Sequence, residues 1–167
     1  ADEPFAVLLG DDMFVSEDVP ALKQLIQVYN KVNQSVLGTM EVSKEATQKY
    51  GICDPQTIDN DVMTLQGVVE KPEPKDAPSN YAIAGRYILT PTIYKYLHTQ
   101  QKGKGDEVHL TDAILRLMSE EKVYAKNIQA KRYDVGNKVD YIEAIIDLAL
   151  KTPDLKEEVK KMLLKKG

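Results

Sequence analysis

Two acidic residues follow an apolar stretch near the start of the sequence, at a place where a metal ion could bind. Asp11 and Asp12 come after the apolar run at residues 5–9, with Gly10 between them and that run. In open α/β sheets, ligands bind beyond the carboxyl ends of the strands. A carboxylate there suits an oxygen-seeking cation such as magnesium, bound together with a phosphate. The alternative is an ordinary Gly-Asp-Asp turn without a ligand.

A third acid lies far along the chain, in the stretch YDVGNK at residues 133–138. Asp134 stands where a basic, alternating segment ends and a helix rich in apolar residues begins. Asp134 could complete a site, or it could simply form a turn with Gly136 in the left-handed conformation. Lys138 could equally be a solvated lysine at a helix start. Local spacing leaves both interpretations open.

The stretch VVEKP, residues 68–72, places an acid and a base together at the end of a predicted strand. Glu70 could accept hydrogen bonds from sugar hydroxyls, and Lys71 could neutralise a phosphate as a point charge. A surface ion pair is the alternative, and on local grounds it is the commoner arrangement. Gly51, in the stretch KYGI, could let a ligand approach the backbone, or it could form a turn.

The two histidines and the single cysteine form no recognisable site in the sequence. His98 and His109 lie in different segments without the spacing of metal ligands. This argues against a histidine metal site or a catalytic triad. Cys53 has no activating partner nearby, so we expect an inert small residue.

Composition limits the class of protein. With 167 residues, 43% of them apolar, the chain can bury one sizeable core, so we expect one domain. The net charge of −4 gives no basic footprint for nucleic acid. A single cysteine excludes an internal disulfide framework and fits a reducing compartment. Since no apolar run approaches the ~18 to 20 residues of a membrane span, we expect a soluble, cytoplasmic protein without a membrane partner.

The elements that must position these residues alternate between strands and helices, which predicts an α/β protein. Residues 5–9 predict a strand buried on both faces of a parallel sheet. Because no strand precedes it, either it lies at a sheet edge or the chain is the later part of a longer protein, and we favour the second. Further strands are predicted at 35–42, 62–70 and 81–89, with one or two more within 122–133. Helices are predicted after Pro20, with Leu22, Leu25, Ile26 and Tyr29 on one face, after Pro91, across 110–118, and at 138–151 and 153–166.

Six separated stretches occur in an order typical of one enzyme family. They are LLGDD, YGI, VVEKP, APSNYAIAGRY, GDEVHLTDA and YDVGNK. From Glu3 to about Leu150 the chain resembles the bacterial UTP–glucose-1-phosphate uridylyltransferases, which are sugar-phosphate nucleotidyltransferases. The resemblance implies a Rossmann-like fold, with a mixed sheet flanked by helices. It also implies that an oxygen of glucose 1-phosphate attacks the α-phosphorus of UTP, forming UDP-glucose and releasing pyrophosphate.

The family's nucleotide-binding segment is not found in this sequence. Family members open with a Gly-rich G-x-G-T-R stretch, which holds the triphosphate together with a later lysine. The nearest stretch here, Gly103-Lys104-Gly105, follows a predicted helix rather than a strand, so it lacks the required context. We therefore expect residues 1–167 to be the sugar- and metal-binding later portion of one nucleotidyltransferase domain, inactive by itself.

The resemblance assigns a metal site to two of the acids. Asp11 matches the family's aspartate that binds magnesium after the apolar strand, and Asp134 matches the acid that completes the site. Asp12 differs from the apolar residue of relatives and is left out.

The resemblance also assigns a sugar site. Glu70 would hold glucose hydroxyls, and Lys71 would contact the sugar-linked phosphate as the catalytic cation. Gly51 would offer its backbone N–H to the sugar, while Gly85 and Tyr87 would shape the pocket.

Two alternatives remain open at this point. One is a sister enzyme that uses another base or another sugar 1-phosphate. The other is a non-catalytic sugar-phosphate binding or oligomerisation module. The final amphipathic helix, from Asp154, could dock on its own domain or on a second subunit, and we expect a homo-oligomer.

Overall fold

A computed structural model of the protein describes residues 2–102 and 106–165. The strands in these residues are β1 (Phe5–Leu8), β2 (Asp12–Val15), β3 (Val36–Glu41), β4 (Gly51–Asp59), β5 (Val62–Glu70), β6 (Tyr81–Leu89), β7 (Tyr124–Asn127) and β8 (Lys131–Asp134). The helices are α1 (Ala21–Val32), α2 (Ile93–His98), α3 (Leu110–Leu117), α4 (Lys138–Lys151) and α5 (Pro153–Leu164), with a 3-10 helix at Lys44–Lys49. The stretch Gly103-Lys104-Gly105 lies outside the described residues.

The described residues divide into two compact units. The first lies within residues 1–9 and 16–130, and the second within residues 10–15 and 131–167. The predicted sugar-site residues therefore fall in the first unit and the predicted metal-site residues in the second. The assignment of the whole chain to one portion of a single domain stays a prediction.

The first unit is built on a six-stranded mixed sheet in the order β1-β6-β3-β7-β5-β4. β3 and β7 are parallel, whereas the other neighbouring pairs are antiparallel. Helix α1 packs against β3 and β6, and α3 packs against α2 and β5. This mixed sheet with flanking helices agrees with the predicted fold class.

Strand β6 is buried along nearly its whole length because both of its faces are covered. Successive side chains of a strand point to opposite faces. Ile83, Tyr87 and Leu89 accordingly pack with Ile93 of α2 and Ile114 of α3 in the main core. Other members of this core are Leu37, Cys53, Met63, Leu65, Val68, Ala113, Leu117, Val123 and Ala125.

The prediction of a parallel, fully buried first strand was wrong. β1 pairs antiparallel with β6, with Phe5 opposite Leu89, and stands at one end of the strand order. Phe5 and Val7 pack against the core, while Leu8 is 50% exposed. The physical reason is that a short apolar run does not distinguish a strand covered on both faces from one covered on a single face.

The predicted apolar face of helix α1, formed by Leu22, Leu25, Ile26 and Tyr29, also needs correction. Helix α1 buries the face that carries Ala21, Gln24, Leu25 and Val28, whereas Ile26 is exposed. Gln24 can be buried because its side chain donates to the carbonyls of Val19 and Gln129, at 2.8 and 3.0 Å.

Strand β4 was missed by the sequence analysis. It contains Pro55, which lacks a backbone N–H and argues against a regular strand. In the structure, the register between β4 and β5 shifts on both sides of Pro55, so the proline lies at an irregularity of the ladder. Such positions tolerate the missing donor.

The second unit is a two-stranded antiparallel sheet, β2–β8, followed by the helices α4 and α5. Lys131 Nζ lies 2.7 Å from Glu143 Oε1 and 2.6 Å from Asp147 Oδ2, which links β8 to α4. The hydroxyl of Tyr133 donates to the same Asp147 oxygen at 2.7 Å. These hydrogen bonds raise the pKa of Lys131 and lower the pKa of Asp147. The side chain of Asn137 caps α4 by accepting from the N–H of Val139 at 2.8 Å.

Helix α5 contains no buried residue. Its apolar side chains Leu155, Met162, Leu163 and Leu164 are exposed. Within the described residues, no helix has both the length and the apolar character needed to cross a membrane.

Candidate functional site

The pairing of β4 with β5 places three predicted sugar-site residues together in the first unit. Gly51, the first residue of β4, stands opposite Glu70, the last residue of β5. The Glu70 side chain is 13% exposed, and its Oε1 lies 3.7 Å from Lys71 Nζ. The acid and base of VVEKP therefore lie together at a strand end, in a partly buried position.

His109 joins this cluster, although no role was predicted for it from the sequence. Its Nδ1 lies 3.6 Å from Glu70 Oε1, and its side chain is 11% exposed. His109 belongs to GDEVHLTDA, one of the six stretches that resemble the family, and this was the only signal for it in the sequence. Its contact with Glu70 could not be predicted because the two residues are far apart in the sequence.

The neighbours of Gly51 leave no room for a side chain at this position. A Cβ placed on Gly51 would lie 2.9 Å from Thr111 Oγ1 and 3.2 Å from Glu70 Oε2. It would also lie 3.1 Å from Ile83 Cδ1. Glycine thus lets the Glu70 carboxylate and the Thr111 hydroxyl lie close to the backbone, at the start of a strand rather than in a turn.

Lys71 has a backbone conformation that L-amino acids rarely adopt. Its φ is 44°, in the left-handed region, and its N–H donates to the carbonyl of Tyr50 at 3.0 Å. For an L-residue this conformation costs roughly 1–2 kcal/mol. Strain of this kind often accompanies a functional position.

Glycine should therefore stabilise position 71 relative to alanine. We expect Lys71→Gly to unfold with a free energy about 0.5 to 1 kcal/mol higher than Lys71→Ala, because relief of the left-handed strain exceeds the extra chain entropy of glycine. Both variants remove the lysine charge, so urea unfolding of the pair isolates the backbone effect. Equal stability, or a more stable alanine variant, would contradict the strained conformation.

Gly85 and Tyr87 lie on a different part of the sheet, where β6 runs between β1 and β3. Gly85 has a φ of 60° and stands where the β3–β6 register is irregular. Its carbonyl accepts from the N–H of Leu9 at 3.0 Å. Tyr87 is 7% exposed and belongs to the main core. Their predicted role in shaping a sugar pocket stays a prediction.

In the second unit, Asp11 and Asp134 flank the same glycine. A Cβ on Gly136 would lie 3.1 Å from Asp134 Oδ1 and 3.8 Å from Asp11 Oδ2. The N–H of Val135 donates to the carbonyl of Asp11 at 2.8 Å, which ties the two segments together. The structure therefore brings the two predicted metal ligands close to each other.

The YDVGNK stretch forms a turn as well. The N–H of Gly136 donates to Asp134 Oδ1 at 3.1 Å, and Lys138 is the exposed first residue of α4. Gly136 does not have the left-handed conformation considered from the sequence, since Gly85 is the described glycine with a positive φ. Turn formation and a role for Asp134 are thus compatible.

Arg132 balances the acids of this segment. It forms an ion pair with Asp12, whose side chain is 9% exposed, and its Nη2 lies 3.9 Å from Asp134 Oδ2. Asp12 is therefore engaged by an arginine, which agrees with leaving it out of the metal site.

The donor set fits a hard cation that is only partly coordinated by protein. Among the residues that the structure describes, no group of three or more His, Cys, Asp or Glu side chains could hold a metal by itself. Magnesium characteristically keeps several waters and binds through one or two carboxylates together with substrate phosphates. The carboxylates of Asp11 and Asp134 match this requirement.

Cys53 takes no part in either site. It is buried in the main core, and burial raises the pKa of its thiol well above the usual range. It is therefore the inert residue that the sequence predicted.

A family model covers most of the chain, including the mixed sheet and all of the predicted site residues. Residues 1–150 match the family model described as Nucleotidyl transferase, so the chain belongs to the nucleotidyl transferase family.

Within this family, the chain is similar to enzymes of one named activity. The chain is 48% identical over 159 residues to a UTP–glucose-1-phosphate uridylyltransferase of Staphylococcus epidermidis, covering 95% of this chain and 55% of the relative. It thus spans about half the length of the curated relatives that it matches.

Solved structures give the same picture. A crystal structure of UDP-glucose pyrophosphorylase complexed with UDP-glucose has a TM-score of 0.85 and 39% identity, over 90% of this chain and 58% of that one. A UTP-bound UGPase from Acinetobacter baumannii has a TM-score of 0.86 and 32% identity, over 98% and 56% of the two chains.

Proposed function

We propose that this chain supplies the sugar- and metal-binding residues of a UTP–glucose-1-phosphate uridylyltransferase. The observation that carries the proposal is the cluster of Glu70, Lys71 and Gly51, which the β4–β5 register brings to one place. The similar proteins named for this activity support it. The substrates would be UTP and glucose 1-phosphate, and the products UDP-glucose and pyrophosphate.

Within this proposal, the clustered residues bind the sugar phosphate. The Glu70 carboxylate accepts hydrogen bonds from glucose hydroxyls, and its partial burial strengthens them relative to water. Lys71 places a positive charge near the phosphate of the sugar. Gly51 would offer its backbone N–H to the sugar, and its lack of a side chain lets the Glu70 carboxylate lie close by.

The reaction asks for positioning and charge neutralisation rather than covalent chemistry by the protein. A phosphate oxygen of glucose 1-phosphate forms the new bond to the α-phosphorus of UTP while the bond to pyrophosphate breaks. The protein holds the reactants in line and offsets the negative charge. A protein nucleophile is not needed, and the buried Cys53 agrees with this.

We propose magnesium as the cation held by Asp11 and Asp134. Their oxygens lie beside the same Gly136, and hard carboxylate oxygens suit this ion. When bound, magnesium neutralises phosphate charge.

We further propose that the protein works in the cytoplasm as a homo-oligomer. Its single cysteine is free, as expected in a reducing compartment. The exposed apolar side chains of α5 support a contact with another subunit.

Replacing Glu70 by glutamine tests the sugar site. In the whole protein, Glu70→Gln keeps the shape of the side chain but removes its charge. A lost hydrogen bond to a charged group costs about 1.5 to 3 kcal/mol, so we expect a roughly ten- to hundredfold rise in the Michaelis constant for glucose 1-phosphate. The Michaelis constant for UTP should change much less. Steady-state kinetics with each substrate varied in turn measures both.

Glu73→Gln is the matched control, because Glu73 is exposed three residues away in the loop after β5. This variant should have wild-type kinetics. If Glu70→Gln raised the Michaelis constants for both substrates equally, Glu70 would belong to a structural ion pair and not to a sugar site.

A further inference from the structure

The two oxygens of the Glu70 carboxylate have different surroundings. Oε1 lies 3.6 Å from His109 Nδ1 and 3.7 Å from Lys71 Nζ. Oε2 points the other way and would lie 3.2 Å from a Cβ on Gly51. Oε1 therefore lies near His109 and Lys71, while Oε2 lies near Gly51.

The ring of His109 is itself held between two acids. Its Nε2 lies 4.0 Å from Glu107 Oε2, on the side of the ring opposite the Nδ1 contact with Glu70. His109 directly precedes α3, and α3 packs against β5, the strand that ends at Glu70. The packing of α3 against β5 therefore brings the backbone of His109 close to the end of the strand that carries Glu70.

Thr111 also lies beside Gly51. It is 8% exposed, and its Oγ1 would lie 2.9 Å from a Cβ on Gly51. A sugar hydroxyl can donate to a carboxylate and accept from a threonine at the same time. Glu70 Oε2 and Thr111 Oγ1 are therefore suited to share one hydroxyl group.

We propose that His109 is a positioning residue that holds Glu70 Oε1, so that Oε2 is presented toward Gly51 and Thr111 to receive a hydroxyl of the sugar 1-phosphate. This inference rests on the proposed function of Glu70. Without His109, the carboxylate can rotate toward Lys71. Part of the free energy of sugar binding is then used to rotate the carboxylate back, so the affinity for the sugar 1-phosphate falls.

The experiment compares variants of the whole protein that differ at His109. His109→Leu removes both ring nitrogens and should raise the Michaelis constant for glucose 1-phosphate about tenfold, with that for UTP nearly unchanged. His109→Asn places an amide nitrogen where Nδ1 was and should stay within about twofold of wild type. His109→Gln reaches only the Nε2 position and should resemble His109→Leu, which keeps the comparison available if the leucine variant does not fold.

A double variant separates positioning from direct contact. Since His109 acts through Glu70, His109→Leu should add almost nothing when Glu70 is already glutamine. Three outcomes would overturn the inference. The effects of His109→Leu and Glu70→Gln on the Michaelis constant could add in the double variant, or His109→Leu could raise the Michaelis constant for UTP as much as that for glucose 1-phosphate. The His109→Asn and His109→Gln variants could also have the same Michaelis constants.

The single Glu70→Gln variant distinguishes the two levels of failure. If it leaves glucose 1-phosphate binding unchanged, the proposed function of Glu70 fails. If Glu70→Gln weakens the binding of glucose 1-phosphate and His109→Leu does not, only the role of His109 is overturned.

Discussion

Replacing either Asp11 or Asp134 by asparagine in the whole protein should lower the rate of UDP-glucose formation by about two orders of magnitude or more. A catalytic metal contributes several kcal/mol to stabilising charge, and each 1.36 kcal/mol corresponds to a factor of ten in rate. Asparagine keeps the size of the side chain but removes the charge that binds a hard cation. At Asp134 it also keeps an oxygen that can accept from the N–H of Gly136. The melting temperature should consequently change little.

Metal binding gives a second readout that does not depend on turnover. Titration with manganese, followed by electron paramagnetic resonance, should show weaker binding in both variants than in the wild type. The double variant should be little worse than either single variant, because the two residues act as a unit. Asp154→Asn, an exposed substitution in the same unit, is the control and should behave as wild type. Unchanged turnover in both single variants would remove Asp11 and Asp134 from the metal site.

The grouping of these candidate residues could be expected from the sequence where a motif contains them. Glu70 and Lys71 are adjacent in VVEKP, and β5, which ends at Glu70, has the predicted bounds. Asp11 and Asp134 are far apart in sequence, and the order of the family stretches is what paired them. The structure then places both beside Gly136, a proximity that periodicity does not reveal.

Contacts between distant segments were not predictable. His109 and Glu70 meet because α3 packs against β5, and this depends on how the chain folds rather than on any local pattern. Strand β2 was not predicted: its first residue, Asp12, was considered only as part of a possible Gly-Asp-Asp turn, and aspartate is unfavourable in strands. Asp12 tolerates this position because Arg132 on the neighbouring strand pairs with it.

That pair should be important for the stability of the second unit. In the β2–β8 register, Arg132 stands opposite Phe14 and Asp12 opposite Asp134, so Arg132 and Asp12 are diagonal neighbours. Their side chains are 17% and 9% exposed. Removal of one partner from a buried ion pair leaves the other charge uncompensated, at a cost of about 3 to 5 kcal/mol. Because Arg132 keeps some access to water, we expect Arg132→Met to lower the free energy of unfolding by about 3 kcal/mol, near the lower end of that range.

The double variant Asp12→Leu/Arg132→Met should recover most of this loss, since it leaves no buried charge without a partner. Urea unfolding followed by circular dichroism measures the free energies, and an unchanged denaturant slope shows that the same transition is compared. Lys160→Met provides the control, because its ion pair with Glu157 is exposed, at 48% and 71%, and should contribute less than about 0.5 kcal/mol. If Arg132→Met were as mild as Lys160→Met, Arg132 would form an ordinary surface pair. Arg132 Nη2 also lies 3.9 Å from Asp134 Oδ2. In that case Arg132 would not be needed to orient Asp134, and the hydrogen bond from the N–H of Gly136 would orient this side chain instead.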